Sequence, residues 1–455
     1  MLPRLPIFAF IMSLSASASA GPPIAAAAAI DSIAARFSEV PVTGMTIGVM
    51  RDGKLVHVGG YGMAKLEGRV PARAGTVYEI GSITKQFTAA AILRLAEQGR
   101  LKLDDPVALH FPALANAAAG ATLRHVLSHT SGIHSGSLVE DLTQPTDPSA
   151  IVALLAGRQP ENAPAERYRY NNNGYILLGL LIERLTERRY GEHLEREFFR
   201  PLRLRSTAIC ITPRGAKVAS AYEHPTRGDP RPKLHPIHHP TVSYASGAIC
   251  STAPDLLRWQ HALVSGKVVS AASYAAMTTP ATLKPGKSSP YGFGLFREER
   301  ASDTRIHHGG ASSGFVTQLG YYPSARVGIV VLTNGMYAPS IVEQIEADVA
   351  DAVRGRASSA TARPSLSEQQ AQSVVGRYDL GPVKIDVFLQ GTTLRAQPSG
   401  QVASRLLHQG NRVFIAEHDP NLRMAFLGSD TQADTLLLSQ GDRRLPPAKR
   451  VLAAD

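Results

Sequence analysis

The stretch that decides the fold of this chain is Gly81-Ser82-Ile83-Thr84-Lys85-Gln86. A short extended segment precedes it, and residues 87–98, which are rich in strong helix formers, follow it and end before Gly99. This composition predicts a helix with Ser82 in its first turn, near unpaired backbone N–H groups. Lys85 lies three positions later, on the same face of the helix and within reach of the Ser82 hydroxyl.

The pairing of Ser82 with Lys85 has the chemistry of an activated nucleophile. A lysine in an apolar setting gives up its proton more readily and can then accept the proton of a serine hydroxyl. The same spacing is also typical of a helix cap followed by a solvated lysine. A catalytic interpretation therefore depends on two later segments of the chain.

The first of these segments holds Tyr170 and Asn172, just before the apolar run of residues 175–185. In an extended or turn conformation, side chains two positions apart point to the same side. A phenol can carry a proton, and a carboxamide can hold both a lysine and a substrate amide. The alternative is a turn of asparagines in which Asn172 or Asn173 caps the following helix.

The second segment runs from His308 through Gly309 and Gly310 to Ala311. Its glycines let the backbone approach a ligand closely, so that a free N–H group can stabilise an oxyanion. The same residues also fit a glycine-rich turn that leads into a strand.

Ser312 is a rival nucleophile, because residues 310–314 match the Gly-x-Ser-x-Gly pattern of the α/β-hydrolase nucleophile elbow. That pattern needs a strand before the serine and a helix after it. Here the residues that follow predict a β-hairpin, and no alternating series of strands and helices precedes them. We therefore favour Ser82 as the nucleophile.

Together, the three segments resemble the motifs of the serine β-lactamase and penicillin-binding protein superfamily, specifically its class C β-lactamase-like branch. Residues 82–85 are similar to Ser-x-x-Lys, residues 170–172 to Tyr-x-Asn, and residues 308–310 to the His-x-Gly form of the Lys-Thr-Gly motif. Flanking segments that also resemble the family, in its order, are residues 101–107, 122–133, 246–256 and 291–295. The resemblance spans about residues 30–350.

The resemblance implies an acyl-transfer enzyme in which Ser82 attacks a carbonyl carbon. Lys85 and Tyr170 share the role of base, and the sequence leaves open which of them takes the proton. Asn172 is implied to orient Lys85 and the substrate.

The resemblance also implies that His308, Gly310 and Ala311 bind the substrate. The backbone N–H groups of Ser82 and Ala311 would form an oxyanion hole. No cofactor is implied.

The implied function is that of a secreted serine hydrolase that acts on esters or amides, like an esterase or a D-amino-acid peptidase or amidase. Its substrate would be a small molecule or a peptide, with peptidoglycan-derived compounds among the candidates. Alternatives are a β-lactamase or D-Ala-D-Ala carboxypeptidase, and a non-catalytic penicillin-binding-like sensor. The presence of His308 makes a β-lactamase or D-Ala-D-Ala carboxypeptidase the less favoured interpretation. An unperturbed imidazole, with a pKa of about 6.5, binds a substrate carboxylate less well than a lysine does.

The order of the elements and the resemblance together predict an α/β (α+β) fold: a β-lactamase/transpeptidase-like antiparallel sheet flanked by helices, a helical lobe, and a small C-terminal β domain. Strands from both ends of the hydrolase region form the sheet, as hairpins over residues 45–61 and 315–333. Helices are predicted over residues 24–37 and 340–353. Residues 82–285 supply the helical lobe.

Four regions are predicted along the chain: a signal peptide (1–20), a β-lactamase-like serine hydrolase domain (21–355), a linker (356–365) and a small β-barrel or lipocalin-like accessory domain (366–455). The first region has a basic residue, an apolar run and the small residues Ala18-Ser19-Ala20, which predict cleavage after Ala20 and a periplasmic or secreted location. No later stretch is long and apolar enough to predict a membrane span.

The net charge of +11, from 48 basic and 37 acidic residues, is dispersed along the chain. No basic stripe with interleaved aromatic residues occurs, so no nucleic-acid partner is expected. His235, His238 and His239 lie in a proline-spaced loop without nearby carboxylates or thiolates, so no metal site is expected.

Cys210 and Cys250 are the two cysteines of the chain. An oxidising compartment would permit them to form a disulfide, whereas their apolar neighbours also fit two buried thiols. Both alternatives stay open at this stage.

Overall fold

The computed structural model describes residues 24–37, 44–210, 217–223, 233–284, 286–300, 303–335, 339–356, 366–399, 403–416, 419–440 and 443–451. The predicted signal peptide and residues 357–365 of the predicted linker lie outside the described residues.

The described residues form the following helices and strands. The helices are α1 (Ile24–Phe37), α2 (Thr84–Glu97), α3 (Val107–His110), α4 (Leu123–Leu127), α5 (Ala150–Ala156), α6 (Asn172–Thr186), α7 (Tyr190–Leu194), α8 (Pro240–Gly247), α9 (Ala253–Val264), α10 (Ala271–Thr278), α11 (Pro339–Val353) and α12 (Glu368–Val374). The strands are β1 (Met45–Arg51), β2 (Lys54–Tyr61), β3 (Met63–Lys65), β4 (Val70–Pro71), β5 (Tyr78–Glu79), β6 (Ala208–Ile209), β7 (Ile249–Ser251), β8 (Phe296–Arg300), β9 (Asp303–Ser312), β10 (Phe315–Tyr322), β11 (Val327–Thr333), β12 (Gly376–Asp379), β13 (Lys384–Gln390), β14 (Thr393–Pro398), β15 (Ser404–Gly410), β16 (Val413–Ala416), β17 (Asp419–Gly428), β18 (Ala433–Gln440), β19 (Arg443–Arg444) and β20 (Ala448–Val451).

The main sheet has six antiparallel strands in the order β2-β1-β11-β10-β9-β8. Its strands come from both ends of the hydrolase region, and the β1–β2 and β10–β11 hairpins have the predicted pairing. Every residue of the central strand β11 is buried, which requires helices on both faces of the sheet.

The residues of β11 alternate between two hydrophobic cores, as the pleat of a strand dictates. Ile329 and Val331 pack with apolar residues of α1 and α11. Val330 and Leu332 face the opposite side, where they join α2, α9 and the helical lobe. The predicted architecture of a sheet flanked by helices, with a helical lobe, is therefore confirmed.

A small sheet, β5-β7-β6, leads the chain into the segment that holds Ser82. Cys210, which follows β6, and Cys250 in β7 form a disulfide across this sheet, which settles the alternatives that the sequence leaves open. Glu79 of β5 pairs with Cys250, so the disulfide lies on the strand next to the one that enters the turn that holds Ser82.

The C-terminal region forms an antiparallel barrel. The strands follow the order β17-β16-β15-β14-β13-β12-β20-β18-β19, and β17 also pairs with β18, which closes the ring. Its interior is filled by apolar side chains such as Tyr378, Phe414 and Phe426. This confirms the predicted small C-terminal β domain.

A buried ion pair joins the main sheet to its outer helix. The Arg305 guanidinium on β9 lies 2.5 Å from a Glu346 carboxylate oxygen on α11, and their side chains are 2% and 0% exposed. Gly320 on β10 makes room for this carboxylate, because a Cβ there would lie 2.3 Å from it. The second partner of Arg305 is Glu298, at 3.2 Å.

We predict that Glu346→Ala lowers the free energy of unfolding by about 3–5 kcal/mol, because it removes a fully buried ion-pair partner and leaves the buried Arg305 charge poorly compensated. The matched control is Asp104→Ala, which breaks the ion pair of Asp104 with Arg124 at 2.8 Å, where the side chains are 72% and 44% exposed. This control should cost less than about 1 kcal/mol. Urea unfolding measures both, and equal losses would contradict the prediction.

Candidate active site

Ser82 lies in a single 3₁₀ turn, Gly81–Ile83, that joins β5 to α2. Gly81 has φ +52°, a left-handed conformation that favours glycine. A Cβ on Gly81 would also lie 2.8 Å from the Ala311 nitrogen at the end of β9. Glycine is therefore needed twice here, for the turn itself and for the close approach of β9 to the nucleophile.

The Lys85 side chain is fully buried beneath this turn, and its amine has three partners. The Nζ atom lies 3.1 Å from Ser82 Oγ, 2.8 Å from Asn172 Oδ1 and 2.8 Å from the Ser246 carbonyl oxygen. Burial lowers the pKa of Lys85 well below the ordinary lysine value. The neutral amine is therefore favoured far more than it would be in water.

The three partners of Lys85 differ in what they can do. The Asn172 and Ser246 oxygens can only accept, so each takes one N–H of the amine. A neutral amine has two N–H groups and one lone pair, and the third direction, toward Ser82, is left for the lone pair. Only the Ser82 hydroxyl can donate a proton to it.

Tyr170 lies over the same amine, with its ring centroid 4.7 Å from Lys85 Nζ. Its buried hydroxyl makes no hydrogen bond of standard geometry with the described residues. Burial raises the pKa of Tyr170 above the ordinary tyrosine value, and the nearby Ser82 side chain offsets this only in part. Tyr170 is thus held as the protonated phenol.

Asn172 is the first residue of α6, and its side chain is free to bind Lys85 because a neighbour caps the helix. Asn171 is the cap, since its Oδ1 accepts the Gly174 N–H at 3.2 Å. Asn173 instead donates to two backbone carbonyls, at 2.9 and 3.0 Å. The alternative in which Asn172 or Asn173 caps this helix is therefore wrong, because the cap is the residue that precedes the first helical turn.

His308 on β9 is buried, with 2% exposure, and both its ring nitrogens are occupied. Nδ1 lies 2.6 Å from the Gly309 carbonyl oxygen, to which it must donate, so Nε2 accepts from the Tyr291 hydroxyl at 2.9 Å. Burial, reinforced by Lys85, lowers the pKa of His308 to about 3. The imidazole is therefore neutral at pH 7, more firmly than an imidazole with the unperturbed pKa of about 6.5 would be.

Gly310 and Ala311 lie at the end of β9, where this strand passes close to the turn that holds Ser82. A Cβ on Gly310 would lie 2.0 Å from the Ile80 carbonyl oxygen, which also accepts a hydrogen bond from Thr317 at 3.0 Å. Only glycine fits at this crossing. Ala311 follows it as an exposed residue, with its backbone beside Gly81.

Ser312, the rival nucleophile, lies at the end of β9 and is followed by strand β10 rather than by a helix. Its hydroxyl donates to the Glu79 carboxylate. The structural context that a nucleophile elbow requires is therefore missing at this serine.

The Ser246 carbonyl is a part of the site that the sequence does not reveal as such. It reaches Lys85 because α8 is kinked at Tyr244, which has φ 38° and ψ −128°. The neighbouring Ala245 carbonyl accepts from Thr88 at 2.7 Å and fixes this segment on α2. The pair Ser246-Gly247 belongs to a segment that resembles the family, and this resemblance is the feature of the sequence that points to the segment as part of the site.

Two further properties concern partners of the chain. Within the described ranges, no group of three or more His, Cys, Asp and Glu side chains is arranged to hold a metal ion. Among the helices that the structure describes, none combines the length and the apolar character that crossing a bilayer requires.

Known proteins resemble this chain in sequence and in fold. Protein flp of Staphylococcus aureus (strain MW2) is 27% identical over 318 residues, which cover 68% of this chain and 63% of that protein. A D-aminopeptidase of Gluconobacter oxydans (strain 621H) is 26% identical over 360 residues, which cover 77% of this chain and 65% of that protein. The matched part thus spans less than two thirds of either relative.

Among solved structures, the octameric penicillin-binding protein homologue from Pyrococcus abyssi has the same fold, with a TM-score of 0.67 at 24% identity. The match covers 93% of this chain and 100% of that one. A family model described as Beta-lactamase matches residues 30–354, which include all three motifs and the main sheet. Because that model covers well over half of the sequence, this chain belongs to the beta-lactamase family.

Proposed function

We propose that the protein is a serine hydrolase that works through an acyl-enzyme on Ser82, with Lys85 as the base. One observation carries the proposal: the buried Lys85 amine binds two oxygens that can only accept, at 2.8 Å each, and turns its remaining position to the Ser82 hydroxyl. The lowered pKa of Lys85 and the raised pKa of Tyr170 favour Lys85 over Tyr170 as the group that takes the serine proton.

In the first step, Ser82 Oγ attacks the substrate carbonyl carbon while its proton moves to Lys85 Nζ. The carbonyl oxygen becomes an oxyanion, which the backbone N–H groups of Ser82 and Ala311 would stabilise, each by about 3 kcal/mol. The bond to the leaving group then breaks, and the leaving group takes the Tyr170 proton. Lys85 returns its proton to Tyr170, and attack by water releases the acid and restores Ser82.

The proposed substrates are esters and amides, including amides of D-amino acids. The D-aminopeptidase relative supports this choice, and so does the neutral His308, which offers no cation to a substrate carboxylate. β-Lactam and D-Ala-D-Ala substrates carry such a carboxylate. Loss of a hydrogen bond to a charged group costs about 1.5–3 kcal/mol, so these substrates rank lower.

We predict that Ser82→Ala abolishes both ester hydrolysis and covalent labelling by a serine-directed phosphonate. The reason is that, in the described part of the chain, Ser82 is the serine whose hydroxyl contacts Lys85. Mass spectrometry of the labelled wild-type protein locates the modified serine, and Ser312→Ala should keep the label. Labelling that persists in Ser82→Ala, or that maps to Ser312, would overturn the assignment.

A substrate panel then tests the proposed class. Simple esters, D- and L-amino-acid amides, a D-Ala-D-Ala peptide and a chromogenic cephalosporin are compared by kcat/KM. Turnover of the esters or D-amino-acid amides ahead of the cephalosporin supports the proposal. Stoichiometric acylation of Ser82 without turnover would instead favour the alternative of a penicillin-binding-like sensor.

We predict that kcat/KM for a neutral ester rises with pH through one acid limb, because Lys85 must lose its proton to act as base. The midpoint of this limb should lie below the ordinary lysine pKa of about 10.4. No limb from His308 is expected near pH 6.5, since its pKa is lowered to about 3.

His308→Gln provides the control for this pH profile. It should keep the acid limb, whereas Lys85→Arg, which cannot deprotonate in this range, should lose activity at every pH. A limb near pH 6.5 that disappears in His308→Gln would show that His308 titrates in the working range, contrary to the prediction.

We also propose that the protein is exported to the periplasm or beyond, with cleavage after Ala20. N-terminal sequencing of the protein from the periplasmic and medium fractions should then begin at Gly21. Protein that remains in the cell interior and begins at Met1 would contradict this prediction.

A further inference from the structure

His129 follows α4 and is buried, with 2% exposure, yet the reaction as described above gives it no role. It has φ +58°, a left-handed conformation that non-glycine residues adopt rarely. Its Nε2 atom has no hydrogen-bond partner among the described residues. A buried polar atom without a partner and a strained backbone both cost free energy, and their coincidence in one residue needs an explanation.

Two hydrogen bonds tie His129 to the segment that carries Tyr170. The Asn171 N–H donates to His129 Nδ1 at 3.1 Å, and the Arg169 N–H donates to the His129 carbonyl oxygen at 2.9 Å. The residues on both sides of Tyr170 are therefore held by one residue. The left-handed conformation of His129 lets its ring and its carbonyl face the same segment.

The imidazole also supports the Tyr170 side chain itself. The centroid of the His129 ring lies 4.3 Å from that of Tyr170, 5.1 Å from Tyr175 and 4.6 Å from Tyr291. Because Nδ1 accepts a hydrogen bond, the proton of the neutral ring is on Nε2. Burial and the nearby Lys85 lower the pKa of His129 well below the ordinary value, so the ring stays neutral and keeps Nδ1 as an acceptor.

We propose that His129 is a positioning residue that holds the Tyr170 phenol where it can protonate the leaving group. This inference rests on the proposed function, and it assigns a task to a residue that does not touch the substrate. It predicts that the loss of His129 impairs the steps that need Tyr170 and leaves the attack by Ser82 largely intact.

The test compares two esters with the same acyl group. An alkyl ester has a poor leaving group that needs a proton, whereas a nitrophenyl ester has a good leaving group that departs without one. His129→Leu replaces the imidazole with an apolar side chain of similar length and removes the Nδ1 acceptor. We expect its kcat to fall about 100-fold for the alkyl ester, as for a misplaced catalytic group, and less than about 10-fold for the nitrophenyl ester.

His129→Asn is the conservative variant that should rescue the alkyl ester reaction. Asparagine adopts the left-handed conformation more easily than most residues, and its Oδ1 can accept the Asn171 N–H in place of Nδ1. We expect its kcat for the alkyl ester to recover to within about 10-fold of the wild-type value. It also keeps the proposal testable if His129→Leu does not fold.

A double-mutant cycle with Tyr170→Phe completes the test. If His129 acts through Tyr170, His129→Leu combined with Tyr170→Phe should lose no more alkyl ester activity than Tyr170→Phe alone. The matched control is His193→Leu on α7. It also removes a buried imidazole whose Nε2 lacks a partner among the described residues, and it should leave the ratio of the two ester rates unchanged.

Equal losses on both esters, no rescue by asparagine, or additive losses in the double variant would each overturn the positioning role while leaving the proposed function intact. A wild-type protein that hydrolyses neither ester and is not labelled at Ser82 would overturn the proposed function, and the role of His129 with it.

Discussion

The site depends on one constraint, the complete burial of a lysine amine. An ammonium without a counter-ion in a low-dielectric interior is costly, so the amine must be neutral, bonded, or both. In this molecule, three different parts of the chain reach Lys85. Ser82 comes from the turn before α2, Asn172 from the start of α6, and the Ser246 carbonyl from the kinked helix α8. The buried amine thus ties three segments of the hydrolase region together.

The main sheet contacts the helical lobe at the turn that holds Ser82, where two glycines allow the backbone of this turn and the backbone of β9 to pass close to each other. Gly81 and Gly310 each lie where a Cβ would collide with the other segment. As a result, the end of β9 is placed beside Ser82 without an intervening side chain. The disulfide of the small sheet lies on the neighbouring strand, β7, so this entry to the turn is also braced covalently.

The sequence predicts well those features that short-range patterns determine. The hairpin β10–β11 has the predicted bounds because a Pro-containing turn separates two apolar strands, and helix α1 has its predicted limits. The Ser82–Lys85 contact follows from their spacing of three residues, although Ser82 lies in the 3₁₀ turn before α2 and not in the first turn of the helix as predicted. Long-range features are different: neither the pairing of Cys210 with Cys250 nor the contact of Ser246 with Lys85 has a local signature, because both depend on how distant segments pack.

The C-terminal barrel shows a further limit. Strand β15 has no clear local signature, because its interior residues Leu406 and His408 alternate with Leu407, which is also buried, so no period of two marks the strand. The helix α12 before the barrel has only seven residues, too few for a clear helical period. The sequence also does not identify Asn171 as the cap of α6, because three consecutive asparagines have the same local propensity for the capping position.

The three titratable groups at the centre of the site share one electrostatic logic. Burial lowers the pKa of Lys85 and of His308 and raises the pKa of Tyr170, so each group is driven toward its neutral form. The proposed mechanism requires a neutral amine and a protonated phenol, and the environment that places these groups favours both protonation states. The same enclosure keeps His308 neutral, at the position where the Lys-Thr-Gly form of the motif has a lysine. In the proposed mechanism, burial activates the serine, and the neutral His308 offers no cation that would select anionic substrates.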